Sequence, residues 1–173
     1  MAPVCRDLAG AGYAPAMTAA YVLASSTVVR ATPEAAFDAV LSAPLEELFT
    51  QRSGPIPPVR GCTGQEGEWG IVGQTRTVVL ADGSRNLETL VAAERPESYR
   101  YRLTDFTGPM KGLVRDVDGE FAFAPVGDGT QVTWSWRVHA TNPVARLLLP
   151  ALGFFWRRYA EKMWPRYAAR LAV

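Results

Sequence analysis

Two charged residues on neighbouring predicted strands, Arg76 and Glu88, carry the chemistry that this sequence offers. Arg76 lies in the middle of the strand-like stretch VGQTRTVVL. Its alternating positions form two faces that both mix polar and apolar residues, so the pattern leaves open whether Arg76 faces solvent or the interior. Pointing inward, Arg76 would be a cationic anchor inside an apolar chamber. Pointing outward, it would belong to an ordinary strand.

Glu88 belongs to the next strand-like stretch, NLETLVA, where it shares one face with Asn86 and Leu90. A lone carboxylate in the interior is costly unless it is paired, and Arg76 on the adjacent strand is the obvious partner. A buried, hydrogen-bonded pair would supply a polar anchor and a modest acid or base. The alternative is a cross-strand ion pair on the surface, which contributes under about 1 kcal/mol.

The later strands have a clearer inner face, made largely of aromatic side chains. Alternation predicts that the polar partners of these residues, such as Asp116, Asp118 and Glu120, face outward. Arg115 falls on the inner side by continuation, near the mouth, and His139 belongs to the outer set, which favours a surface position over a catalytic one. Buried tyrosine hydroxyls need partners, and a ligand oxygen is one candidate. The residues predicted to point inward are Tyr99, Tyr101, Leu103, Val117, Gly119, Phe121, Phe123, Val132, Trp134, Trp136 and Val138.

The elements that must position these side chains are a first strand, two short helices and a series of further strands. The first strand is predicted at 21–30, and Thr32 with Pro33 predicts the start of a short helix. A second helical piece follows at 44–51, and the prolines of SGPIPPVRG then exclude that stretch from a central sheet. Short turns such as those at Asp82-Gly83 and Asp128-Gly129 predict antiparallel strands in up-and-down order. The later strands are predicted at 70–81, 85–93, 98–105, 112–124 and 130–141.

The last segment, 151–171, changes to helical spacing. Its apolar stripe and the predicted apolar face of the sheet must cover each other, so the sheet is expected to curl around this helix and to leave a chamber between them. Pro150 suits its first turn, and Pro165 is expected to kink it. The preceding run 147–149 is read first as a helical turn; closing the chamber or touching a membrane or partner are the alternatives. The stripe consists of Leu152, Phe155, Trp156, Tyr159, Met163 and Tyr167.

Length and composition indicate one globular domain at 19–173, preceded by a flexible tail at 1–18. The chain of 173 residues has a net charge of +1 and two cysteines, so neither nucleic acid nor a disulfide framework is expected. No apolar run is long enough for stable membrane insertion, and no signal peptide is recognisable, which predicts a cytoplasmic protein. Nothing in the sequence demands a metal, a nucleotide or a flavin, so no cofactor is expected. The expected assembly is a monomer or a homodimer.

The order of these motifs resembles a known superfamily. ATPEAAFDAV after the first strand, GQTRTVVLADG, ETLVAAERPESYRYRL, VGDGTQVTWSW and the long terminal helix are similar to the START-like, or SRPBCC, helix-grip proteins, and most to their bacterial polyketide cyclase/dehydrase-type branch. The resemblance implies an α+β fold, in which a curled antiparallel sheet of about seven strands surrounds a long C-terminal helix. The superfamily includes aromatase/cyclases, lipid and sterol carriers and plant hormone receptors, which share a hydrophobic cavity under that helix.

By resemblance, Arg76, Val78 and Leu80 would line the cavity, and Glu88 would lie inside it. The function implied is the binding of a hydrophobic, polyketide-like or aromatic molecule and its cyclisation or dehydration in natural product biosynthesis. Arg76 would then be the electrophilic anchor, Tyr101 or Tyr99 the proton donor, and Glu88 the base or the group that orients Arg76. The alternatives are a non-catalytic carrier or sensor of a lipid, isoprenoid or metabolite, and an interaction protein with a filled cavity. The expected ligand-binding residues are Val78, Leu80, Asn86, Tyr99, Leu103, Arg115, Phe121, Trp134, Trp136, Phe155, Tyr159 and Met163.

Overall fold

A computed structural model describes residues 19–172, and the predicted tail at 1–18 lies outside the described residues. The described chain forms an antiparallel sheet, three α-helices and one 3-10 turn. The helices are α1 (Pro33–Leu41), α2 (Leu45–Leu48) and α3 (Pro143–Arg170), and the 3-10 turn covers Gly108–Gly112. The strands are β1 (Tyr21–Val29), β2 (Val59–Thr63), β3 (Thr75–Leu80), β4 (Arg85–Glu94), β5 (Ser98–Thr104), β6 (Val114–Val126) and β7 (Gly129–Ala140).

The seven strands form one antiparallel sheet in the order β1-β7-β6-β5-β4-β3-β2. Strands β2 to β7 follow one another as a simple meander, and β1 pairs with β7 at the other end. The predicted fold class and up-and-down order are therefore confirmed. Strands β1 and β2 are the two edges of the sheet, so the segment with α1 and α2 that joins them crosses from one edge to the other. Both helices contact α3.

Helix α1 begins as the Thr32-Pro33 signal predicts. The Oγ1 atom of Thr32 accepts a hydrogen bond from the backbone N–H of Ala35, and Pro33 occupies the first turn. The Tyr167 hydroxyl donates to the carbonyl oxygen of Ala36 at 2.8 Å and so fastens the end of α3 to α1. Burial of Phe37 and Val40 completes the attachment.

The segment between α2 and β3 differs from the prediction. Strand β2 begins directly after the prolines, and as an edge strand it pairs only with β3. Prolines are tolerated next to an edge strand, because one side of such a strand forms no hydrogen bonds with the sheet. Strand β3 begins at Thr75 rather than at residue 70, because Gln74 holds the preceding loop. Its Oε1 accepts from the N–H groups of Gly70 and Ile71, and its Nε2 donates to the carbonyls of Glu66 and Glu68.

Helix α3 begins eight residues earlier than the predicted start at 151. Asn142 caps it, since its Oδ1 accepts from the N–H of Ala145 at 2.8 Å, and Pro143 occupies the first turn. Pro150 and Pro165 therefore both lie inside the helix. The first-choice reading of 147–149 as helical is correct, although only Leu149 of the three leucines is buried.

Candidate functional site

A cavity lies between the inner face of the sheet and α3, and it opens at one end. The volume of the cavity is about 100 Å³, which is smaller than that of most small-molecule sites. A cavity of this volume does not decide between the ligand-binding alternatives and the filled-cavity alternative. The lining residues are Leu45, Phe49, Ile56, Pro57, Val59, Val78, Leu80, Ser84, Arg85, Asn86, Glu88, Tyr99, Tyr101, Leu103, Phe106, Thr107, Met110, Phe121, Trp134, Trp136 and Tyr159.

Arg76 and Glu88 form a buried ion pair across β3 and β4. They are directly opposed in the strand register, and the Nε atom of Arg76 donates to Oε2 of Glu88 at 2.7 Å. Their side chains are only 7% and 5% exposed. Burial lowers the pKa of Arg76, but the charge of Glu88 and its hydrogen bond outweigh burial, so the net effect is a raised pKa. Arg76 therefore points inward and remains a cation.

Only one of the two residues of the ion pair lines the cavity. Glu88 lines the cavity, whereas Arg76 is absent from the lining and lies beside Trp69, with its Cζ 4.0 Å from the centre of that ring. This cation–π contact gives the guanidinium a second partner besides Glu88. Of the two charged residues that the resemblance placed in the cavity, the structure therefore puts Glu88 in the lining and Arg76 behind it, in contact with Glu88.

Asn86 adds an amide oxygen without a hydrogen-bond partner on the same strand as Glu88. Both side chains lie on the same face of β4 and both line the cavity. The Oδ1 atom of Asn86 is buried and has no hydrogen-bond partner among the described residues. A buried polar atom without a partner is unusual in a folded protein, so this end of the cavity retains the capacity to bind a polar group.

Tyr101 is held as a hydrogen-bond donor by two tryptophans. Its hydroxyl oxygen accepts from the indole N–H of Trp134 at 2.7 Å and from that of Trp136 at 2.8 Å. The hydroxyl proton has no acceptor among residues 19–172, so it is free for a ligand oxygen. Burial raises the pKa of Tyr101, while the two indole hydrogen bonds lower it in part. Tyr101 is accordingly a neutral donor at physiological pH.

The absence of a side chain at Gly119 leaves the space that the Tyr101 ring occupies. Tyr101, Gly119 and Trp136 are opposed across β5, β6 and β7. A Cβ atom on Gly119 would lie 2.2 Å from Cζ of Tyr101, so only glycine lets the ring lie across the middle strand. Gly119 was predicted to face inward, but its role was missed. A glycine in the interior of a strand is the signal that indicates such a close approach.

The remaining predicted residues separate into those in the cavity and those outside it. Arg115 is a wrong prediction, because a bulge between Val114 and Asp116 reverses the alternation. The Arg115 side chain is 62% exposed, and Asp116, predicted to face outward, is buried beside it. Phe155 packs against Gly54, and Met163 is buried in the core, so neither lines the cavity. Among the predicted ligand-binding residues, those in the lining are Val78, Leu80, Asn86, Tyr99, Leu103, Phe121, Trp134, Trp136 and Tyr159.

Two loops, at 81–84 and 105–112, contribute residues to one end of the cavity. The backbone N–H of Arg85 donates to Oγ1 of Thr107 at 2.8 Å, and the N–H of Thr107 donates to the carbonyl of Arg85 at 2.9 Å. Gly108, with φ of +64°, packs so closely that a Cβ would lie 2.9 Å from that of Ser84. These contacts hold the two loops against each other. Met110 from the second loop reaches the cavity.

One group of possible metal ligands lies on the outer face of the sheet. Asp116, Asp118 and His139 bring a ligand atom each to within 4.8 Å of one another. Arg102 and Arg115, however, lie 3.2 Å and 2.6 Å from the two carboxylate oxygens of Asp116. A divalent cation would have to displace these guanidinium groups, so the arrangement fits an ion-pair network better than a metal centre.

Cys62 on β2 provides a test of the environment around the buried pair. Burial raises the pKa of its thiol from 9.0 to about 11; Arg76 opposes this change, and Glu88 and Glu46 add to it. In a Cys5→Ser variant, alkylation at pH 8 should be about a hundredfold slower than for an ordinary cysteine, because only about 0.1% of the thiol is ionised. The rate should keep rising tenfold per pH unit through pH 10. A plateau near pH 9 would contradict the burial of Cys62.

The curled sheet, the long helix and the cavity between them define a START-like, helix-grip protein. The sequence pattern of the family described as "Polyketide cyclase / dehydrase and lipid transport" matches residues 22–172. Since this is nearly the whole chain, the protein belongs to that family. A comparison with curated proteins found no match.

Solved structures with the same fold come from plants and bacteria. The ginseng major latex-like protein 151 from Panax ginseng is 16% identical, with 88% of this chain and 97% of that chain covered and a TM-score of 0.61. The protein TTHA0849 from Thermus thermophilus is 19% identical over the same shares, with a TM-score of 0.62. At such identities the likeness shows the fold alone. No helix among residues 19–172 has the length and apolar character needed to cross a membrane.

Proposed function

We propose that the protein binds a hydrophobic, polyketide-like or aromatic molecule in its cavity and promotes cyclisation or dehydration of that molecule. The observation that carries this proposal is the hydroxyl of Tyr101, whose proton is unpaired in the same cavity as the carboxylate of Glu88. A directed donor and a carboxylate within apolar walls are the groups that such chemistry needs. Family membership supports the hydrophobic ligand.

In this mechanism the apolar walls fold the chain of the substrate and exclude water. Tyr101 donates a hydrogen bond to a substrate carbonyl, and Glu88 takes the proton from the adjacent carbon, so that an enolate forms. The enolate carbon attacks a second carbonyl, whose oxygen receives a proton, and the ring closes. Dehydration then removes a proton and a hydroxyl group as water. Arg76 orients Glu88 through the 2.7 Å hydrogen bond and does not contact the substrate.

The alternative is a carrier or sensor that binds a lipid, isoprenoid or other metabolite without chemistry. The observation that favours it is the lining, in which polar groups such as Asn86 and Glu88 are few among apolar and aromatic side chains. In that role, the same polar end would fix the orientation of the ligand. We also place the protein in the cytoplasm and in natural product biosynthesis, as a monomer or homodimer without a nucleic-acid partner.

The first experiment identifies what the cavity holds. We expect protein purified from its native host to release a hydrophobic small molecule on denaturation, detected by mass spectrometry. The Glu88→Gln variant keeps the shape of the side chain but removes its charge, so it should retain less ligand if Glu88 only anchors. It should accumulate unconverted substrate if Glu88 is the base. Val28→Ser, on the exposed face of β1, is the control.

Two outcomes would contradict the proposal. Wild-type protein that releases nothing and takes up no apolar fluorescent probe would refute ligand binding in either role. If the wild type and Glu88→Gln retain equal amounts of a chemically identical ligand, Glu88 neither anchors the ligand nor acts as the base.

A further inference from the structure

The first half of α3 exposes an apolar surface that the fold does not need. Four large side chains are at least half exposed: Val144 at 71%, Leu147 at 77%, Leu148 at 58% and Phe154 at 50%. Their spacing along the helix places them on one side. Every exposed residue between 143 and 156 is apolar, and we name this surface the apolar helix face. It consists of Pro143, Val144, Leu147, Leu148, Pro150, Ala151 and Phe154.

The opposite side of the same turns already supplies the core. Leu149, Leu152 and Trp156 are buried against the sheet, so the first half of α3 is apolar almost all round. A surface helix of a globular protein ordinarily has a polar outer side. An apolar stripe that continues over several helical turns on a convex surface therefore indicates a partner.

A basic band follows the apolar helix face along the outer side of α3. Its exposed residues are Arg157, Arg158, Lys162 and Arg166, with Glu161 as the acidic member. The Cζ atom of Arg158 lies 4.6 Å from the centre of the Phe154 ring, so the band begins where the apolar helix face ends. Because the whole chain has a net charge of only +1, this band is a local segregation of positive charge.

Residues next to the apolar helix face contact two segments that line the cavity. Thr141, just before α3, donates from its Oγ1 to the carbonyl of Gly112 at 2.7 Å, and Gly112 ends the turn that carries the cavity residue Met110. On the other side, Ser53 donates to the carbonyl of Phe155 at 2.8 Å. The chain continues from Ser53 to Ile56 and Pro57, which line the cavity.

We propose that the apolar helix face docks on the surface of an anionic lipid bilayer, with the basic band against the headgroups. The helix would lie in the plane of the interface, so that the mouth of the cavity faces the lipid. Anionic headgroups complement the charge of the band. A second copy of the chain would cover the apolar helix face but would offer no negative charge to the basic band. The proposal holds whether the cavity catalyses a reaction or only carries a ligand.

Vesicle flotation tests this docking. The wild type should float with vesicles of phosphatidylcholine and phosphatidylglycerol in equal parts, less with phosphatidylcholine alone, and less again at high salt. Leu147→Gln with Leu148→Gln should lower the partition coefficient about tenfold or more, since two side chains leave the interface. Arg157→Gln with Arg158→Gln should remove most of the preference for phosphatidylglycerol. The matched control is Val22→Gln with Val28→Gln, because these valines are equally exposed on β1.

Three results would overturn the proposal. The first is a wild type that does not float with anionic vesicles. The second is a Leu147/Leu148 variant that binds them as well as the wild type does. The third is a wild-type dimer, seen by analytical ultracentrifugation without lipid, that the same variant converts to monomer, because a second copy would then be the occupant. Thermal unfolding of each variant verifies that it is folded, and the arginine variant tests the docking with the apolar helix face intact.

Discussion

Replacing Arg76 with methionine should destabilise the fold by about 3–5 kcal/mol, because it leaves the carboxylate of Glu88 buried without a counter-charge. The two side chains are 7% and 5% exposed, and strand register fixes them opposite each other. The measurement is the free energy of unfolding from urea denaturation at neutral pH. The matched control is Arg95→Met, which breaks the surface pair with Asp38, whose side chain is 53% exposed. That change should cost at most about 1 kcal/mol.

The double variant Arg76→Met, Glu88→Leu separates stability from function. With both charges removed, the unfolding free energy should return close to that of the wild type, since apolar residues commonly replace a buried ion pair without loss. The cavity would nevertheless lose its polar end, and we expect no ligand to co-purify. Equal costs for Arg76→Met and Arg95→Met would show that the pair is effectively solvated. A double variant that still holds its ligand would restrict the pair to a structural role.

The inward position of Arg76 shows what alternation can and cannot decide. Both faces of β3 mix polar and apolar residues, so the period of two left the orientation open. The turn at Asp82-Gly83 does settle the pairing, because it places Arg76 opposite Glu88 in the hairpin. Two charges that must be buried together are then tolerated as a pair. The orientation thus depends on a contact between two strands, which no single strand pattern contains.

The inward-facing aromatic residues of the strands were easier to predict than the cavity residues near bulges and in loops. On β5 and β7, residues such as Tyr101 and Trp134 face inward as the alternation predicts, since no bulge interrupts these stretches. On β6, one extra residue at the bulge turns Arg115 outward. The alternation of the sequence does not show where such an extra residue lies. The cavity walls from Phe49, Ile56 and Met110 were missed, because their positions depend on loop conformations rather than on a period.

The start of α3 was misjudged for a different reason. Two prolines, Pro143 and Pro150, each suit a first helical turn, and Pro150 precedes the clearer apolar stripe. The Asn142 cap decides in favour of the earlier one. The sequence predicts a helical turn at 147–149, but that turn was not joined to the long helix because Pro150 marked the predicted start of that helix.

Gly119→Ala is expected to be strongly destabilising, because it adds a methyl group where the sheet has no room for one. The new Cβ would lie 2.2 Å from Cζ of Tyr101, so the ring must move and its hydrogen bonds from Trp134 and Trp136 must break. Overpacking and two buried indole N–H groups without acceptors together should cost about 3 kcal/mol or more, measured by urea denaturation. The matched control is Gly112→Ala, which has nothing within 4 Å and should be near neutral.

A second substitution tests whether the damage passes through Tyr101. In the Gly119→Ala background, Tyr101→Ala should cost much less than it does alone, since the ring with which the new methyl group clashes is gone. Additive costs, or a Gly119→Ala variant as stable as Gly112→Ala, would contradict the close packing. The same pair also separates the two functions. If Tyr101 donates its proton in a reaction, displacing the ring should lower turnover more than ligand affinity, because the lost hydrogen bond strengthens in the transition state; a carrier would lose affinity alone.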